Sequence, residues 1–288
     1  MPETPHADLA GRAHRALEPL HAMIYFAPEA EPEYTAVGLR PGRMGYFASR
    51  SAAMGPVSAG VVTATFYNFS PALVGRHIPR AWSLASVDDI LAARLRAVDA
   101  ALRRLLGADT VASADVREAA ELARAATAGL PPEGRPLFAA HAGLPWPDEP
   151  HLVLWHAVTL LREFRGDGHL AALLDAGLTG LQALQTHTAT GHGFTRGAAQ
   201  QLRGWTDEEW ADAAESLRAR RLLDDEGLTA GGIATRDGVE RATDRMAVAP
   251  WRTLGVEKTA RLAELGKGLS RQVAANGAFP SGVFARSR

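Results

Sequence analysis

Ionisable side chains cluster in one short stretch of the sequence, residues 161–169 (LREFRGDGH), where two glycines are predicted to break a helix. His156 and Glu163 are seven residues apart, which is two helical turns and places both on one face. His169 follows the expected break and is expected to fold back toward them. A carboxylate beside an imidazole orients it and shifts its pKa toward neutrality, which suits general acid–base catalysis. The candidate catalytic residues are therefore His156, Glu163, Asp167 and His169. The alternative is a helix C-terminus that carries Arg–carboxylate pairs.

A second group of candidate residues is aromatic and lies in the first half of the chain, where all four tyrosines occur. Tyr46 and Arg50 are four residues apart and share a helix face. Such a surface suits an aromatic or extended apolar ligand that carries a polar group. The alternative is an ordinary core with tyrosine hydroxyls at its edge. The candidate ligand-binding residues are His21, Tyr25, Tyr46, Arg50, Tyr67, Asn68 and Arg162.

We expect the aromatic and the ionisable groups to face one cavity between the two halves of the chain. Replacing Glu163 by Gln is then expected to reduce ligand binding or turnover, while the melting temperature stays within a few degrees.

Other kinds of site lack their sequence motifs. The chain has no Cys, which removes disulfides and thiolate metal sites. His151 and His156 are five residues apart, as are His187 and His192, and neither pair has the i, i+4 spacing of a helical zinc site. No metal is therefore predicted. Glycine-rich stretches match neither a P-loop nor a dinucleotide-binding fingerprint, and no GxSxG motif is present. The sequence names no cofactor.

Composition predicts a folded globular protein, because the chain has 288 residues and 47% hydrophobic content. No segment approaches the roughly 20 uncharged apolar residues that cross a bilayer, and the first residues contain no apolar run typical of a signal peptide. We therefore expect a soluble, cytoplasmic protein with no membrane partner. A monomer and a homodimer both remain open.

Helical periodicity extends over most of the chain and predicts an all-α fold. The clearest helix covers residues 87–106, where apolar residues recur at helical spacing and the first turn is acidic. Residues 130–150 carry six prolines and predict a linker or a rigid packed connection. The expected organisation is 1–130, a connection at 131–150, and 151–288.

The two halves share three short matches in the same order. His21 corresponds to His156, residues 36–39 (AVGL) correspond to 175–178 (DAGL), and Trp82 corresponds to Trp251. The last match requires about thirty additional residues in the second half, within 206–245, where the order is helix, acidic turn and long helix. This predicts two diverged winged-helix-like repeats that form an intramolecular pseudo-dimer, with a wing in the second only. The alternative is convergence between Ala- and Leu-rich helices.

Several segments carry a family resemblance: EPLHAMIYFAPEAEPEYTAVGL, GYFASRSAAMGPVSAGVVTATFYNFSPALV, WHAVTLLREFRGDGHLAAL and RGWTDEEWADAAESLRARRLL. They resemble the actinobacterial SalK-like family, which is labelled helix-turn-helix and related to MarR-type winged helices. The resemblance covers nearly the whole chain and implies an all-helical, duplicated winged-helix fold. It implies no settled activity and no catalytic residue.

Charge argues against DNA binding at the expected recognition helix. That helix begins with residues 206–209 (TDEE), and the expected wing at 223–228 (LDDEGL) is also acidic. Phosphate contacts supply most of the affinity of DNA-binding proteins, and the net charge is only −1, so DNA is expected to be an unlikely partner. We therefore expect a protein that binds a small organic molecule between the repeats, either as a binding protein or as an accessory enzyme of specialised metabolism. The alternative is a MarR-type regulator.

Overall fold

The computed structural model describes residues 4–285 and consists of α-helices joined by short turns, three of which are 3-10 helices. The all-α prediction is confirmed. Within the described residues, no helix is both long and apolar enough to cross a membrane. The α-helices are α1 (Thr4–Ala22), α2 (Ala30–Ala36), α3 (Arg43–Ser51), α4 (Ala59–Phe66), α5 (Pro71–Gly75), α6 (Val87–Val111), α7 (Ala114–Ala126), α8 (Pro136–Ala142), α9 (Pro150–Asp175), α10 (Gly180–Ala189), α11 (Arg196–Arg203), α12 (Asp207–Ala219), α13 (Ala230–Met246), α14 (Ala249–Leu254) and α15 (Val256–Ala275).

The main hydrophobic core draws residues from both halves of the chain, from Ala10 to Ala278. Helix α1 packs along α15 and α9, and α7 packs on α9. The Ser270 hydroxyl donates a hydrogen bond to the Ala16 carbonyl at 2.7 Å. A Cβ at Gly266 would lie 2.5 Å from Leu17 Cδ2, so the glycine allows the two helices to approach closely. The first and last helices of the described chain therefore lie side by side.

Helix α9 is continuous from Pro150 to Asp175, so the predicted break at Gly166 and Gly168 is wrong. Gly168 instead allows close packing, because a Cβ there would lie 3.0 Å from Arg135 Nη1 and 3.2 Å from Met246 Cβ. The helix ends before Gly177, whose φ of 63° suits glycine. Residues 169–189 therefore belong to two helices, the end of α9 and α10.

The proline-rich connection is a packed part of the structure. Its helix α8 buries Leu137, Phe138 and His141. His141 Nδ1 is hydrogen-bonded to the Leu137 carbonyl at 2.9 Å. The proline-rich segment therefore contributes a packed helix to the structure.

Each half contains three consecutive helices that can be compared. Helices α3, α4 and α5 follow one another in the first half as α10, α11 and α12 do in the second. Both α4 and α11 end at a residue with positive φ, Tyr67 at 57° and Gly204 at 73°. The main difference comes afterwards: α5 has 5 residues and α12 has 13, and α12 leads into a turn closed by an antiparallel pairing of Leu223 with Leu228.

Candidate functional site

Helices α11 and α12 are joined by a three-residue turn, residues 204–206, that begins with left-handed Gly204. Thr206 caps α12 in a capping box: its Oγ1 accepts from Glu209 N at 3.1 Å, and Glu209 Oε2 accepts from Thr206 N at 2.9 Å. Trp210 packs with residues of α10 and α11, and Gln185 Nε2 donates to the Trp210 carbonyl at 2.6 Å. This arrangement is a helix-turn-helix supported by α10.

The outward face of α12 is acidic at its start. Trp210 and Leu217 point inward, whereas Glu208, Asp212 and Glu215 are exposed on the opposite face. Basic side chains follow where the helix ends, and the exposed ones are Arg218, Arg220 and Arg221. Arg220 also donates to the Gly177 carbonyl at 2.8 Å and so ties this end to α9. The helix therefore carries opposite charges at its two ends.

The turn after α4 packs directly against the turn after α11, and we name this the turn contact (residues 67–70 against 203–205). Ser70 N donates to the Arg203 carbonyl at 2.9 Å, and Trp205 Nε1 donates to the Asn68 carbonyl at 3.0 Å. The Tyr67 hydroxyl donates to the Leu178 carbonyl at 2.6 Å. The helix-turn-helix is thus held in place by the first half of the chain.

Three adjoining cavities lie beside the turn contact and share Arg162 and Arg203 in their walls. The ionic cavity, of about 240 Å³, has walls of Tyr46, Arg50, Asn68, Arg162, Glu163, Asp167 and His169, among others. The aromatic cavity, of about 440 Å³, is lined by Tyr25, Phe26, Tyr46, Phe194, Phe279 and Phe284, among others. A third cavity, of about 490 Å³, includes Tyr67, Asn68 and His169. Nine of the eleven candidate residues therefore lie around adjoining spaces, and their roles stay predictions.

The structure corrects the expected positions of His21 and His156, which line none of these three cavities. His21 is buried, with Nδ1 hydrogen-bonded to Thr159 Oγ1 at 2.9 Å and Nε2 to the Tyr25 hydroxyl at 2.8 Å. His156 packs against Trp146, with ring centroids 4.7 Å apart, and burial lowers its pKa to about 4. The seven-residue spacing gave no indication that Trp146, from the proline-rich connection, covers His156.

Glu163 is the centre of a buried ionic cluster. It is 1% exposed, accepts from Arg162 Nη1 at 2.8 Å and lies 3.4 Å from Arg50 Nη2. Arg162 also donates to Glu18 Oε1 at 3.1 Å. Burial would raise the pKa of Glu163, but Arg162 and Arg50 outweigh burial and hold it well below its usual range. Glu163 is therefore an ionised ion-pair partner.

The expected carboxylate–imidazole pair is not assembled. Glu163 is bound by guanidinium groups, while His169 Nδ1 is hydrogen-bonded to Thr243 Oγ1 at 2.8 Å. Burial lowers the pKa of His169 to about 4, so this imidazole is neutral near pH 7. Within residues 4–285, no three His, Asp or Glu side chains come together in a way that could hold a metal ion. The structure therefore pairs Glu163 with guanidinium groups and His169 with a hydroxyl group.

Asp167 titrates close to neutrality and provides a test by pH. Burial raises its pKa to about 6, although Phe138 N donates to its Oδ2 at 2.9 Å. The folded protein therefore binds this proton more tightly than the unfolded chain, so stability decreases as pH rises from about 4 to about 6. We expect Asp167→Asn to remove this decrease and to raise the free energy of unfolding at pH 7 by on the order of 1–2 kcal/mol.

Urea unfolding of both proteins between pH 4 and 7 measures this effect. The matched control is Asp237→Asn, at an exposed position of α13, which should leave the pH profile of stability unchanged. Parallel profiles for wild type and Asp167→Asn would show that Asp167 is ionised throughout this range.

Sequence reasoning missed Arg203 and Arg43. The Arg203 guanidinium lies over Phe69, with Cζ 4.4 Å from the ring centroid, and over Phe194 at 5.0 Å. Its Nε donates to Asn68 Oδ1 at 3.2 Å, and burial lowers its pKa to about 10. Arg43 donates to the carbonyl of Leu202. No sequence signal marks either residue, because their importance depends on which side chains surround them in space.

A family model described as a helix-turn-helix family matches residues 10–280. No curated protein and no solved structure gives a match. The family match points to DNA binding, so the expectation that DNA is an unlikely partner is wrong. That expectation rested on the low net charge, the acidic start of α12 and the acidic turn, and gave no weight to the exposed arginines at the end of α12. Since the match covers nearly the whole chain, the protein belongs to this helix-turn-helix family.

Proposed function

We propose that the protein binds DNA through α11 and α12 as a MarR-type winged-helix regulator. The observation that carries the proposal is the pair of helices joined by the turn at Gly204, in a chain that belongs to a helix-turn-helix family. In such units the second helix enters the major groove. The antiparallel pairing of Leu223 with Leu228 supports a short wing after α12.

The charge distribution suggests which side chains contact phosphates. Arg218 and Arg221 are exposed at the end of α12, and Arg196 is exposed at the start of α11, where free backbone N–H groups also favour an anion. The carboxylates at the start of α12 accept hydrogen bonds, which suits the N4 amino group of cytosine and disfavours non-specific attachment to phosphates. Affinity for random DNA is then weak and specificity depends on a few bases.

Replacing Arg218 by Ala is expected to weaken binding to all sequences by a similar factor and to reduce the slope of log Kd against log salt by about one. Arg218 makes ion pairs of 3.6 Å with Glu215 and 3.7 Å with Asp225, all exposed, so the change should leave folding intact. The measurement is a fluorescence titration at several salt concentrations with duplexes selected from a random library.

The control for this titration is Arg271→Ala, an exposed residue of α15 far along the chain from α12, which should keep the salt slope of the wild type. If selection enriches no sequence, the DNA-binding proposal fails. If both variants keep the wild-type slope, the protein binds DNA by another surface.

We also propose that the two halves, 1–130 and 151–288, are diverged copies joined by the packed connection at 131–150 and paired as an intramolecular pseudo-dimer. The common order of helices and the positive φ at Tyr67 and Gly204 support this proposal. The turn contact would then be the interface between the two copies.

A second role, binding a small organic molecule, is favoured by one observation. Both halves contribute walls to the three adjoining cavities, whose volumes fall within or near the range of ligand sites, about 300–1,000 Å³. Arg203 is both a cavity wall and the last residue of α11. We infer that an occupant of these cavities regulates the position of the helix-turn-helix.

A further inference from the structure

Most arginines in the cavity walls have a carboxylate partner. Arg162 pairs with Glu18 and Glu163, Arg50 with Glu163, and Arg165 and Arg236 with Glu240. Arg15, which borders the third cavity, is exposed to solvent. These guanidinium groups are therefore either paired with carboxylates of the protein or solvated by water.

Arg43 and Arg203 differ from these residues. Among the residues that the structure describes, no carboxylate oxygen lies within 4.0 Å of either guanidinium group. Their partners are neutral: Arg43 donates to a carbonyl, and Arg203 donates to the Asn68 side chain. Both are only partly exposed. A desolvated cation with no counter-charge is unfavourable, and an anion in the adjoining space would relieve this cost.

Both arginines line the aromatic cavity. Its other charged residues, Glu18 and Arg162, are paired with each other at 3.1 Å, which leaves a net positive wall. The positive charge also acts on Tyr46. Burial would raise the pKa of its hydroxyl, but Arg50, Arg203 and Arg162 outweigh burial and lower this pKa. The remaining surface is mainly aromatic, from Tyr25, Phe26, Phe194, Phe279 and Phe284.

We propose that the aromatic cavity binds an organic anion with an aromatic body, whose carboxylate is held by Arg43 and Arg203. Guanidinium groups bind carboxylates through paired hydrogen bonds, and the rings supply stacking surfaces. The cavity volume of about 440 Å³ accommodates a fused-ring or substituted-ring acid. The inference rests on the second role proposed above, small-molecule binding between the halves.

The position of the two arginines connects this ligand to the helix-turn-helix. Arg203 ends α11, and its carbonyl accepts the hydrogen bond from Ser70 in the turn contact. Arg43 donates to the carbonyl of Leu202, the preceding residue of α11. A carboxylate that draws both guanidinium groups together therefore acts directly on the end of α11.

The test compares 2-naphthoate with its neutral isostere 2-naphthamide by isothermal titration calorimetry on the full chain. We expect 2-naphthoate to bind one to one with a Kd below about 100 µM, and 2-naphthamide to bind about tenfold more weakly or worse. Inorganic phosphate, which carries charge but no ring, is titrated separately and should bind more weakly than 2-naphthoate.

The variants Arg203→Met and Arg43→Met each remove one cation but keep an apolar stem of similar length. Each variant should weaken the binding of 2-naphthoate by about tenfold and leave the Kd of 2-naphthamide unchanged. Arg271→Met, at an exposed position of α15, is the matched control and should bind 2-naphthoate as the wild type does. Thermal denaturation establishes that each variant is folded, and two separate positions keep the test valid if one variant is not.

The outcomes distinguish the recognition of an aromatic anion from the more general role of small-molecule binding. If the amide binds as tightly as the acid, or both Met variants bind 2-naphthoate normally, small-molecule binding stands and anion recognition is wrong. If phosphate binds as well as 2-naphthoate, the site takes a simple anion and the aromatic part of the inference is wrong. If neither naphthalene compound binds at about 1 mM, both the inference and the proposed ligand role fail.

Discussion

Replacing Glu163 by Gln is expected to lower the free energy of unfolding by about 3 kcal/mol, because it leaves the buried Arg50 guanidinium without a counter-charge and leaves Arg162 with Glu18 as its remaining carboxylate partner. Glu163 is 1% exposed, and its carboxylate accepts from Arg162 at 2.8 Å and lies 3.4 Å from Arg50. The sequence alone predicted a melting temperature within a few degrees of wild type. The structure leads to the opposite expectation, since the Glu163 carboxylate balances the positive charge of the guanidinium groups around it.

Urea unfolding at pH 7 measures the effect of Glu163→Gln. The matched control is Glu264→Gln, whose carboxylate pairs with Arg261 at 3.1 Å but is 73% exposed, and which should change stability by less than about 0.5 kcal/mol. Because the folded pKa of Glu163 is depressed, its contribution is present above about pH 4.3 and is lost as pH falls toward the folded pKa. The difference between wild type and Glu163→Gln should therefore shrink in acid. A loss below about 1 kcal/mol at pH 7 would mean that water already screens the cluster.

Replacing Gly180 by Ala is expected to cost about 3 kcal/mol or more and to open the turn contact, because no space exists for a methyl group there. A Cβ at residue 180 would overlap the Tyr67 carbonyl oxygen and lie 2.8 Å from its carbonyl carbon and 3.3 Å from Asn68 Cα. These are backbone atoms of the opposite turn, so the clash cannot be relieved by a side-chain rotation.

The control for Gly180→Ala is Gly197→Ala in α11, where no atom lies within 4 Å of the added methyl group. Alanine favours the helix, so this change should stabilise the protein by about 0.5–1 kcal/mol. Urea unfolding measures both variants. Equal stability of Gly180→Ala and wild type would show that the two turns separate at little cost, which would also weaken the pseudo-dimer proposal.

Periodicity and capping predicted the local elements well, because both depend on residues close in sequence. The helix at 87–106 lies within α6, and the capping box between Thr206 and Glu209 forms as its spacing indicates. The break expected within α9 failed for a tertiary reason: Gly168 is needed where Arg135 and Met246 approach the helix, and neither residue is near it in sequence. The sequence alone does not distinguish a glycine that ends a helix from one that allows another segment to pack closely against the helix.

For the candidate site too, the sequence predicted the features that depend on nearby residues and missed those that depend on distant ones. Tyr46, Arg50, Glu163, Asp167 and His169 do lie around one cavity, since their spacing along α3 and α9 sets the faces that they occupy. What the side chains do there depends on partners from distant segments: Arg162 and Arg50 fix the charge of Glu163, and Thr243 engages His169. The lack of a counter-charge at Arg203 is likewise a property of three-dimensional surroundings.

The pairing of α1 with α15 also constrains the order in which the chain folds. During synthesis α1 leaves the ribosome before α15, yet the face that holds Leu17 and the Ala16 carbonyl is covered by Gly266 and Ser270. That apolar surface stays open until residues 256–275 have emerged. Contacts of such long sequence separation slow folding and prolong the time in which a nascent chain is prone to aggregation. The contacts of the helix-turn-helix with α10 are by comparison close in sequence.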